Sequence, residues 1–503
     1  MILAQSNMID GLKDQLQNLT ADIIWIAPEI TLVITLVLLL VFDLLFKQNK
    51  STGIIIISLA GLILSTLLLL SSWDQLMASQ LLMGGLIKLD QGAVFFKILF
   101  NVGAVLSLTI MLRHRKKDFF FSSSEPLILV FGLLLGVYLM TMAVNLLMVY
   151  VSVELVSICS YLLVGIYKKR SNSEAAIKYL LFGAVASAVM IYGMSWLYGF
   201  TGTLDFTSVQ FIDGLHLVPL LPLSLALVMT VAGFVFKLGA FPFHIWSPDV
   251  YESAPTPFVA LLSTLPKLAA LTLIFRFVQG MDLEVVNWQL WLSIIAIASM
   301  TIGNFSALWQ KDAKRMLAYS SIAQAGFLLV GLIAFSESGE TAALFYGVIY
   351  LAMNFAVFFL IQLFENEEGR IPFDAFKGKG TQEPWIGALL LIIMISLTGL
   401  PPTAGFNGKL FVFSAIWESW EANGQGVLLW VFIFGLLNTA VSLFYYLKIP
   451  FLMFFKKPSE DISVNNISQL DRFWGTLLVC PLLVWFFKSD GVLNLLNSIN
   501  FVF

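Results

Sequence analysis

Apolar runs of about 17–25 residues follow one another along most of this chain, and each is long enough to cross a bilayer as a helix. The chain has 503 residues, of which 59% are hydrophobic and 12% are charged. So few polar side chains could not cover a water-soluble globule of this size. The sequence therefore predicts an all-α polytopic membrane protein with fourteen transmembrane helices.

The predicted spans begin near residue 25 and continue almost to the C-terminus. The twelfth is too long for one helix and contains Gly399, Pro401 and Pro402, so we predict a helix that is broken near the middle of the membrane. The complete set of predicted spans is 25–46, 53–72, 93–112, 126–143, 145–166, 175–199, 218–241, 257–279, 288–308, 318–335, 341–364, 384–416, 427–455 and 473–488.

Lysine and arginine concentrate in alternate connectors between the spans, whereas the intervening connectors carry mainly acidic residues. By the positive-inside rule the basic connectors face the cytoplasm, so both termini face outward. The exception is connector 244–252, which is acidic although it falls on the cytoplasmic side. The basic residues are Lys47 and Lys50; Arg113, Arg115, Lys116 and Lys117; Lys168, Lys169 and Arg170; Lys311, Lys314 and Arg315; Arg370, Lys377 and Lys379; and Lys456 and Lys457.

Composition argues against several classes of function. Lys and Arg number 28 against 31 Asp and Glu, a balance that gives no support for nucleic-acid binding. Two cysteines and three histidines are too few to ligate haem or an iron–sulfur cluster, and no GxGxxG or Walker A pattern is present. Any redox chemistry is therefore expected on another chain. The stretch up to residue 22 lacks the features of a signal peptide, so we expect an outward-facing N-terminal segment.

Four ionisable residues inside predicted spans are the candidates for function: Glu154, Lys237, Lys267 and Lys409. Lys97 and Lys448 are also within apolar runs, and Lys448 is closer to the end of its run. A charge at membrane depth costs at least ~2.5–3.5 kcal/mol, so residues of this kind are usually retained for function. Two simpler explanations stay open. A lysine near a helix end can extend to the headgroups, and Glu154 could be a neutral carboxyl that is bonded to a neighbouring helix.

The polar connector between Lys237 and Lys267 contains Pro242 and His244, which we expect to support the two lysines. Helix breaks at matching places in two halves of a membrane protein indicate an inverted repeat with polar sites at the breaks. The segments FKLGAFPF, around Lys237, and GLPPTAGFNGK, ending at Lys409, would be the corresponding breaks.

Four motifs carry a family resemblance: FKLGAFPFHIWSPDVYESAPTP, DAKRMLAYSSIAQAG, SLTGLPPTAGFNGK and VSLFYYLK. They closely resemble the antiporter-like membrane subunits of respiratory complex I, the proton-pumping NADH:quinone oxidoreductase. The likeness extends over about residues 126–448. It implies fourteen helices with two inverted five-helix repeats, in which helices 7 and 12 are broken.

Two features choose among the three classes of these subunits. The chain ends soon after its last span, without the long lateral helix of the L class, and position 409 is lysine where the M class typically has glutamate. Both features favour the N class, to which mitochondrial subunit 2 and the plastid B chain belong, and so do the runs SNSEAAIKYLLFGA and SWLYGFTG. The resemblance implies an N-terminal segment 1–22, helices 1–3 in 23–125, a first repeat in 126–279, a second repeat in 288–455, and helix 14 with the tail in 473–503.

The resemblance also implies that no cofactor is bound by this chain, and that NADH, FMN, iron–sulfur clusters and a quinone act on other subunits. The expected partners are neighbouring antiporter-like and small membrane subunits, the lipid bilayer and, indirectly, the peripheral redox arm. We expect a bacterial cytoplasmic membrane with both termini on the periplasmic side, and we place a thylakoid membrane second.

Glutamine occupies position 324, where many family members have histidine in the motif YSSIAH. An amide can bond and orient water, but it cannot hold an extra proton at neutral pH. We therefore expect Gln324 to support a proton path rather than to titrate.

Burial favours a neutral lysine and a nearby carboxylate favours a charged one, so a Glu–Lys pair has two states. We expect Glu154 to control Lys237, Lys267 to pass the proton along the membrane plane, and Lys409 to face the exit. Two other functions stay open: a cation/proton antiporter of the same fold, which would exchange sodium or potassium for protons without NADH, and a structural scaffold, which would have no need of four intramembrane charges. Copurification with flavin and iron–sulfur chains would favour complex I.

Overall fold

The computed structural model describes residues 20, 22–46, 50–73, 75–76, 79–114, 116–281, 286–366, 368–457 and 467–499. Within these ranges, thirteen helices are long and apolar enough to cross a membrane, and the shorter apolar helix Pro384–Thr398 forms half of a fourteenth span. The prediction of an all-α polytopic membrane protein is therefore confirmed. Most of the predicted segment 1–22, together with Lys47 and Arg115, lies outside the described residues.

The first half of the chain contains seven spans, a short antiparallel hairpin in which Gln80 lies opposite Leu89, and two short connecting helices. The elements are α1 (Ala27–Leu45), α2 (Ser51–Trp73), β1 (Gln80–Leu82), β2 (Ile87–Leu89), α3 (Gln91–Arg113), α4 (Lys117–Phe120), α5 (Glu125–Met142), α6 (Leu146–Gly165), α7 (Arg170–Thr201), α8 (Val209–His216) and α9 (Leu220–Leu238).

The second half begins after the first break and ends in a short helix beyond the last span. Its elements are α10 (Ser247–Ser253), α11 (Thr256–Leu262), α12 (Leu265–Gln279), α13 (Trp288–Leu308), α14 (Ala313–Ile333), α15 (Glu337–Ile361), two 3₁₀ turns (Gln362–Phe364 and Phe373–Phe376), α16 (Lys379–Gln382), α17 (Pro384–Thr398), α18 (Ala404–Asn423), α19 (Gly426–Tyr446), α20 (Lys448–Phe455), α21 (Gln469–Phe487) and α22 (Asp490–Asn497).

Three spans form the centre of the bundle. In the span Thr256–Gln279, which joins α11 and α12, and in α14, 94% of the apolar window is buried; in the span Glu337–Phe364 the share is 89%. By contrast, only 28% of the window is buried in α21. The peripheral helices therefore present apolar side chains outward, as lipid requires, and the polar residues discussed below lie on or against the central spans.

Two breaks interrupt the spans at left-handed glycines. Helix α9 ends at Gly239, with φ of 66°, and α17 ends at Gly399, with φ of 89°. In each break the amide N–H groups after the helix turn back to bond its last free carbonyls, which satisfies backbone groups that lipid could not. The predicted break of helix 12 is confirmed at residues 399–403.

The predicted break of helix 7 is confirmed at Gly239, inside the segment FKLGAFPF, but the second half of the broken helix was not predicted. The predicted span 218–241 contains only the first half, α9, and the second half is α10, which lies in the segment that we predicted as the cytoplasmic connector 244–252. Ser247, Val250 and Tyr251 of α10 are fully buried, so most of this connector is packed inside the bundle. We did not predict this half-helix, because it has only seven residues and its segment contains several prolines and acidic residues.

A third interruption was not predicted. Helices α11 and α12 are separated at Ser263 and Thr264, in a span that we had expected to be continuous. Pro266 lacks the N–H that would bond a carbonyl one turn earlier, and its ring opposes a regular helix at that point. The carbonyl of Ser263 instead accepts a hydrogen bond from the Tyr350 hydroxyl at 2.8 Å.

Candidate functional site

Three lysines lie deep in the bundle close to the interruptions. Lys237 is in the last turn of α9, Lys267 in the first turn of α12, and Lys409 in the second turn of α18. Their side chains are 1%, 0% and 4% exposed, so headgroups are out of reach and the snorkelling explanation does not hold for any of them.

Lys409 is held by the end of the facing half-helix. Its Nζ donates to the carbonyl of Thr398 at 2.8 Å and to that of Leu397 at 3.4 Å, and it lies 4.2 Å from the centre of the Phe327 ring. These carbonyls belong to the C-terminal turn of α17, where the helix dipole is negative. A Cβ at Gly399 would lie 2.6 Å from Lys409 Cδ, so the glycine also makes room for the lysine.

Lys267 lies against the first break in a similar way. Its Nζ donates to the carbonyl of Ser321 on α14 at 2.9 Å, and a Cβ at Gly239 would lie 3.2 Å from that nitrogen. Each break thus combines a left-handed glycine with a buried lysine beside it. The arrangement offers an ammonium ion a few fixed carbonyl oxygens in place of water.

Lys237 and Glu154 are close in the fold but are not bonded to each other. No ion pair or hydrogen bond between them occurs among the described residues, and both Lys237 Nζ and Glu154 Oε1 are buried without a hydrogen-bond partner. The nearest groups to Lys237 Nζ include the rings of Tyr161 and Tyr179, with centres 5.8 and 5.9 Å away. Buried polar atoms without a hydrogen-bond partner are energetically costly. We therefore expect Lys237 Nζ and Glu154 Oε1 to be satisfied by water or by a change of protonation.

The supporting residues predicted from the sequence lie in the two breaks. Pro242 and His244 follow Gly239, and His244 Nδ1 is buried without a partner among the described residues. Pro401 and Pro402 occupy the second break, and the peptide bonds before Pro242 and Pro402 are both cis.

Gln324 is fully bonded in the centre of the bundle. Its Nε2 donates to the Leu397 carbonyl at 3.2 Å and to the Tyr446 hydroxyl at 3.1 Å, and its Oε1 accepts a short hydrogen bond from the Tyr346 hydroxyl. Leu397 therefore accepts from both Gln324 and Lys409. The hydrogen-bond partners of Gln324 are therefore a carbonyl and two hydroxyls. Lys409 is a charged neighbour that shares the Leu397 carbonyl with Gln324.

Charged side chains explain why acidic residues are tolerated near α10. Arg315, in the first turn of α14, contacts Asp249 at 2.8 Å and Glu252 at 2.6 Å, and Lys178 of α7 contacts Asp249 at 2.9 Å. The connector that breaks the positive-inside pattern is thus neutralised by basic residues from two neighbouring helices. These ion pairs hold α10 against α7 and α14.

Sequence reasoning did not find the partners of several buried charged residues. Lys97 of α3 forms an ion pair of 2.6 Å with Glu29 of α1, both nearly inaccessible. Just after α15, Glu365 accepts from His114 at 3.0 Å and from Thr256 at 2.8 Å. Apart from Lys97, which lies in an apolar run, these residues gave no local signal, because each partner comes from a distant part of the chain.

The chemistry available to this arrangement is proton transfer. In the described residues there is no group of three or more His, Cys, Asp and Glu side chains that could hold a metal ion. An amine accepts the proton that an ammonium group releases, so a lysine can exchange protons with nearby water or hydroxyl groups.

Comparisons with known proteins agree with this description. Residues 143–437 match the family model for the transmembrane part of NADH:quinone oxidoreductase and Mrp antiporter proteins. The chain is 38% identical to the NADH-quinone oxidoreductase subunit N of Chlorobium chlorochromatii, over 92% of each chain, and 38% identical to the NAD(P)H-quinone oxidoreductase subunit 2 of a Synechococcus species, over 90% of this chain and 84% of that one. A chain of respiratory complex I from Thermus thermophilus superposes with a TM-score of 0.79 at 29% identity, covering 94% of this chain and all of that one. The chain therefore belongs to the NADH:quinone oxidoreductase/Mrp antiporter family of membrane subunits, and within that family it is similar to the subunit N and subunit 2 proteins.

Proposed function

We propose that this chain is the N-type proton-translocating membrane subunit of an NADH:quinone oxidoreductase. The observation that carries the proposal is the placement of buried Lys267 and Lys409 against two glycine-centred helix breaks, with Lys237 just before the first break. A scaffold gains nothing from lysines that must be desolvated in this way. The similarity to subunit N and subunit 2 proteins favours a redox-driven complex over a separate cation antiporter.

In this proposal Glu154, Lys237, Lys267 and Lys409 carry protons, with His244, Gln324 and the prolines 242, 401 and 402 in support. Movement of Glu154 towards Lys237 favours the ammonium form, and separation favours release of the proton. The unbonded state of both groups in the structure corresponds to the separated state. Lys267 passes the proton along the membrane plane, and Lys409 delivers it to the outward side.

The chain is proposed to bind no redox cofactor, so the energy must come from partners. NADH, FMN, iron–sulfur clusters and a quinone would act on other subunits. Glu154 lies on α6 near Val151 and Ile158, which are exposed on the surface of this chain, so a neighbouring membrane subunit could contact this face and move the carboxylate. Lipid would cover the remaining apolar surface.

We further propose a bacterial cytoplasmic membrane with both termini on the outward side. The division into two inverted repeats, 126–279 and 288–455, is part of the same proposal. It is supported by the left-handed glycine that ends the first half-helix in each unit, Gly239 and Gly399.

The test is NADH-driven proton uptake in vesicles, normalised to assembled complex. Lys237→Ala should assemble but lose pumping, because no other described group replaces its proton site. Lys488→Ala removes an exposed lysine at the end of α21 and should pump normally. Normal pumping in Lys237→Ala would remove Lys237 from the path, and sodium- or potassium-driven proton exchange without NADH would identify an antiporter instead.

A further inference from the structure

Buried hydroxyl groups occupy the space between Lys267 and Lys409. They come from three helices: Ser320 and Ser321 on α14, Tyr346 and Tyr350 on α15, and Tyr446 on α19. All five are at most 3% exposed. Three of them belong to the motifs YSSIAQ and FYYLK, namely Ser320, Ser321 and Tyr446, and the proposed lysine path does not use their hydroxyls.

The first group of hydroxyls adjoins Lys267. The Ser321 carbonyl accepts from Lys267 Nζ, and Ser321 Oγ lies 2.8 Å from the Tyr350 hydroxyl. Tyr350 donates its only hydroxyl proton to the Ser263 carbonyl, so the bond with Ser321 must be donated by the serine. A direction of hydrogen bonding is therefore fixed at this end.

The second group surrounds Gln324, and its donors can also be assigned. The Leu397 carbonyl can only accept, so the Gln324 atom that faces it is the amide nitrogen. The same nitrogen donates to Tyr446, and the amide oxygen accepts from Tyr346. Tyr446 also forms a short hydrogen bond with the Ser320 hydroxyl, in which either oxygen can donate.

The two groups are adjacent in the structure. Ser320 and Ser321 are consecutive residues, and Tyr346 and Tyr350 are one helical turn apart on α15. Tyr346 also reaches α18, because a Cβ at Gly408 would lie 2.6 Å from its ring, and Gly408 precedes Lys409. The hydroxyls therefore extend from the Lys267 side of the bundle to the Lys409 side.

Gln324 itself cannot complete this connection. Its amide nitrogen has no free lone pair, and both of its protons are used in hydrogen bonds. A proton can pass only through a group that accepts one proton while it releases another, as a hydroxyl does.

We propose that protons travelling between Lys267 and Lys409 pass through the hydroxyls of Ser320 and Tyr446, and that Gln324 is a positioning residue that holds Tyr446. This inference rests on the proposed function. Water molecules complete the connection at both ends. Each hydroxyl oxygen gains one O–H bond as its former O–H bond breaks, so the tyrosine and serine end neutral. The lysine that begins as ammonium becomes an amine, and the amine at the other end becomes ammonium.

The test is Tyr446→Phe in the assembled complex, which removes one hydroxyl and keeps the ring. Positioned proton-transfer groups typically contribute a factor of 10² or more, so proton uptake per complex should fall by at least about tenfold. Ser320→Ala should lower it in the same direction. The matched control is Tyr138→Phe, because Tyr138 is also fully buried and bonds Asn101 at 2.7 Å and Ser65 at 3.2 Å, among the N-terminal helices.

A rescue experiment separates proton transfer from packing. An imidazole can carry a proton, so Gln324→His in the Tyr446→Phe background should restore most of the uptake. Wild-type uptake in Tyr446→Phe, an equal loss in Tyr138→Phe, or failure of histidine to rescue would each overturn the relay. Absence of pumping in the wild-type complex would instead contradict the proposed function, so the two failures are distinguishable.

Discussion

The three buried lysines differ in what holds their ammonium groups. Lys409 has two carbonyl acceptors and an aromatic ring, Lys267 has one carbonyl, and Lys237 Nζ has no hydrogen-bond partner among the described residues. Hydrogen bonds to a charged group are each worth about 1.5–3 kcal/mol. Lys237 is therefore the lysine whose charge depends most on an external group, and Glu154 is the nearest candidate on this chain.

The first prediction concerns Lys237→Arg and Glu154→Gln. Arginine keeps the positive charge but is not deprotonated in proteins, so Lys237→Arg should assemble and lose NADH-driven proton uptake. Glu154→Gln should also assemble, because an unpaired buried lysine can become neutral, but pumping should fail because the lysine is not recharged. Uptake at the wild-type level in Lys237→Arg would mean that only the charge is needed.

The second prediction concerns Gln324. Gln324→Leu leaves the Tyr346 hydroxyl without its acceptor and removes a donor from Leu397, at a cost of about 1–3 kcal/mol for each unsatisfied group. Both the thermal stability of the complex and proton uptake should decrease. Gln324→His should retain uptake, because a neutral imidazole can still accept one hydrogen bond and donate another. Full uptake in the leucine variant would show that the position serves packing alone.

At this scale the sequence identified the lysines but not their surroundings. Lys237, Lys267 and Lys409 stood out because each interrupts an apolar run. The acceptors of Lys267 and Lys409 are backbone carbonyls of Ser321, Leu397 and Thr398, which carry no sequence signal at all. The side chains around Gln324 come from α15 and α19, and only the folded bundle brings them together.

At the scale of elements, Gly399 and Gly424 each end a helix in the left-handed conformation, which favours glycine over other residues. Gly399 has φ of 89° and lies against Lys409, whereas Gly424, which ends α18 with φ of 65°, has no atom within 4 Å of a Cβ placed there. The two therefore share the backbone requirement and differ in the contact with a lysine.

The third prediction uses this difference. Gly399→Ala and Gly424→Ala should each lose about 1–2 kcal/mol of stability, the cost of a left-handed conformation for an L-residue. Only Gly399→Ala should also reduce proton uptake, because its Cβ would push Lys409 away from the Thr398 carbonyl. The measurements are thermal denaturation and proton uptake of the assembled complex. Equal uptake in both variants would show that the position of Lys409 at this break is not important.

Element boundaries were predictable where they depend on local chemistry. Gly399, Pro401 and Pro402 located the second break, and the apolar spans matched most helices to within a few residues. The half-helix α10 was not recognised, because seven residues are too few to show a periodic pattern. The interruption before Lys267 was also missed, although Pro266 was a visible signal for it.

At the scale of the whole molecule, a buried cluster joins the ends of several helices on one side of the bundle. Glu365, just after α15, accepts from His114 beyond α3 and from Thr256 at the start of α11. Lys314 of α14 lies nearby and donates to the carbonyls of Ala254 and Gly369, each at 2.8 Å. The members of this cluster are up to 251 residues apart in the chain, so no local sequence pattern predicted the cluster.

The fourth prediction concerns the pH dependence that Glu365 contributes. Burial alone would raise the pKa of this carboxyl, but Lys314, His114 and Thr256 lower it from 4.5 to about 2. Because the pKa in the folded protein is depressed, the stabilisation is complete above pH 4.5 and is lost as the pH falls towards 2. The shift corresponds to roughly 3 kcal/mol. At pH 7, thermal denaturation of Glu365→Gln should occur at a lower temperature than that of the wild type. Between pH 5 and pH 3, the denaturation temperature of the variant should depend less steeply on pH. An identical pH dependence in the two proteins would contradict the assignment.

The fifth prediction concerns orientation. The basic connectors place Lys117 in the cytoplasm, and the acidic start of α15 places Ser338 outside; both side chains are exposed. In a Cys480→Ser background, which removes the exposed native cysteine, Ser338→Cys in intact cells should react with a membrane-impermeant maleimide. Lys117→Cys should react only after the membrane is permeabilised, which also serves as the control that the site is accessible. The native Cys159 is buried and should remain unlabelled in both. Labelling of Lys117→Cys alone in intact cells would reverse the assigned orientation. Labelling of both variants in intact cells would mean that an even number of crossings separates the two connectors, instead of the predicted seven.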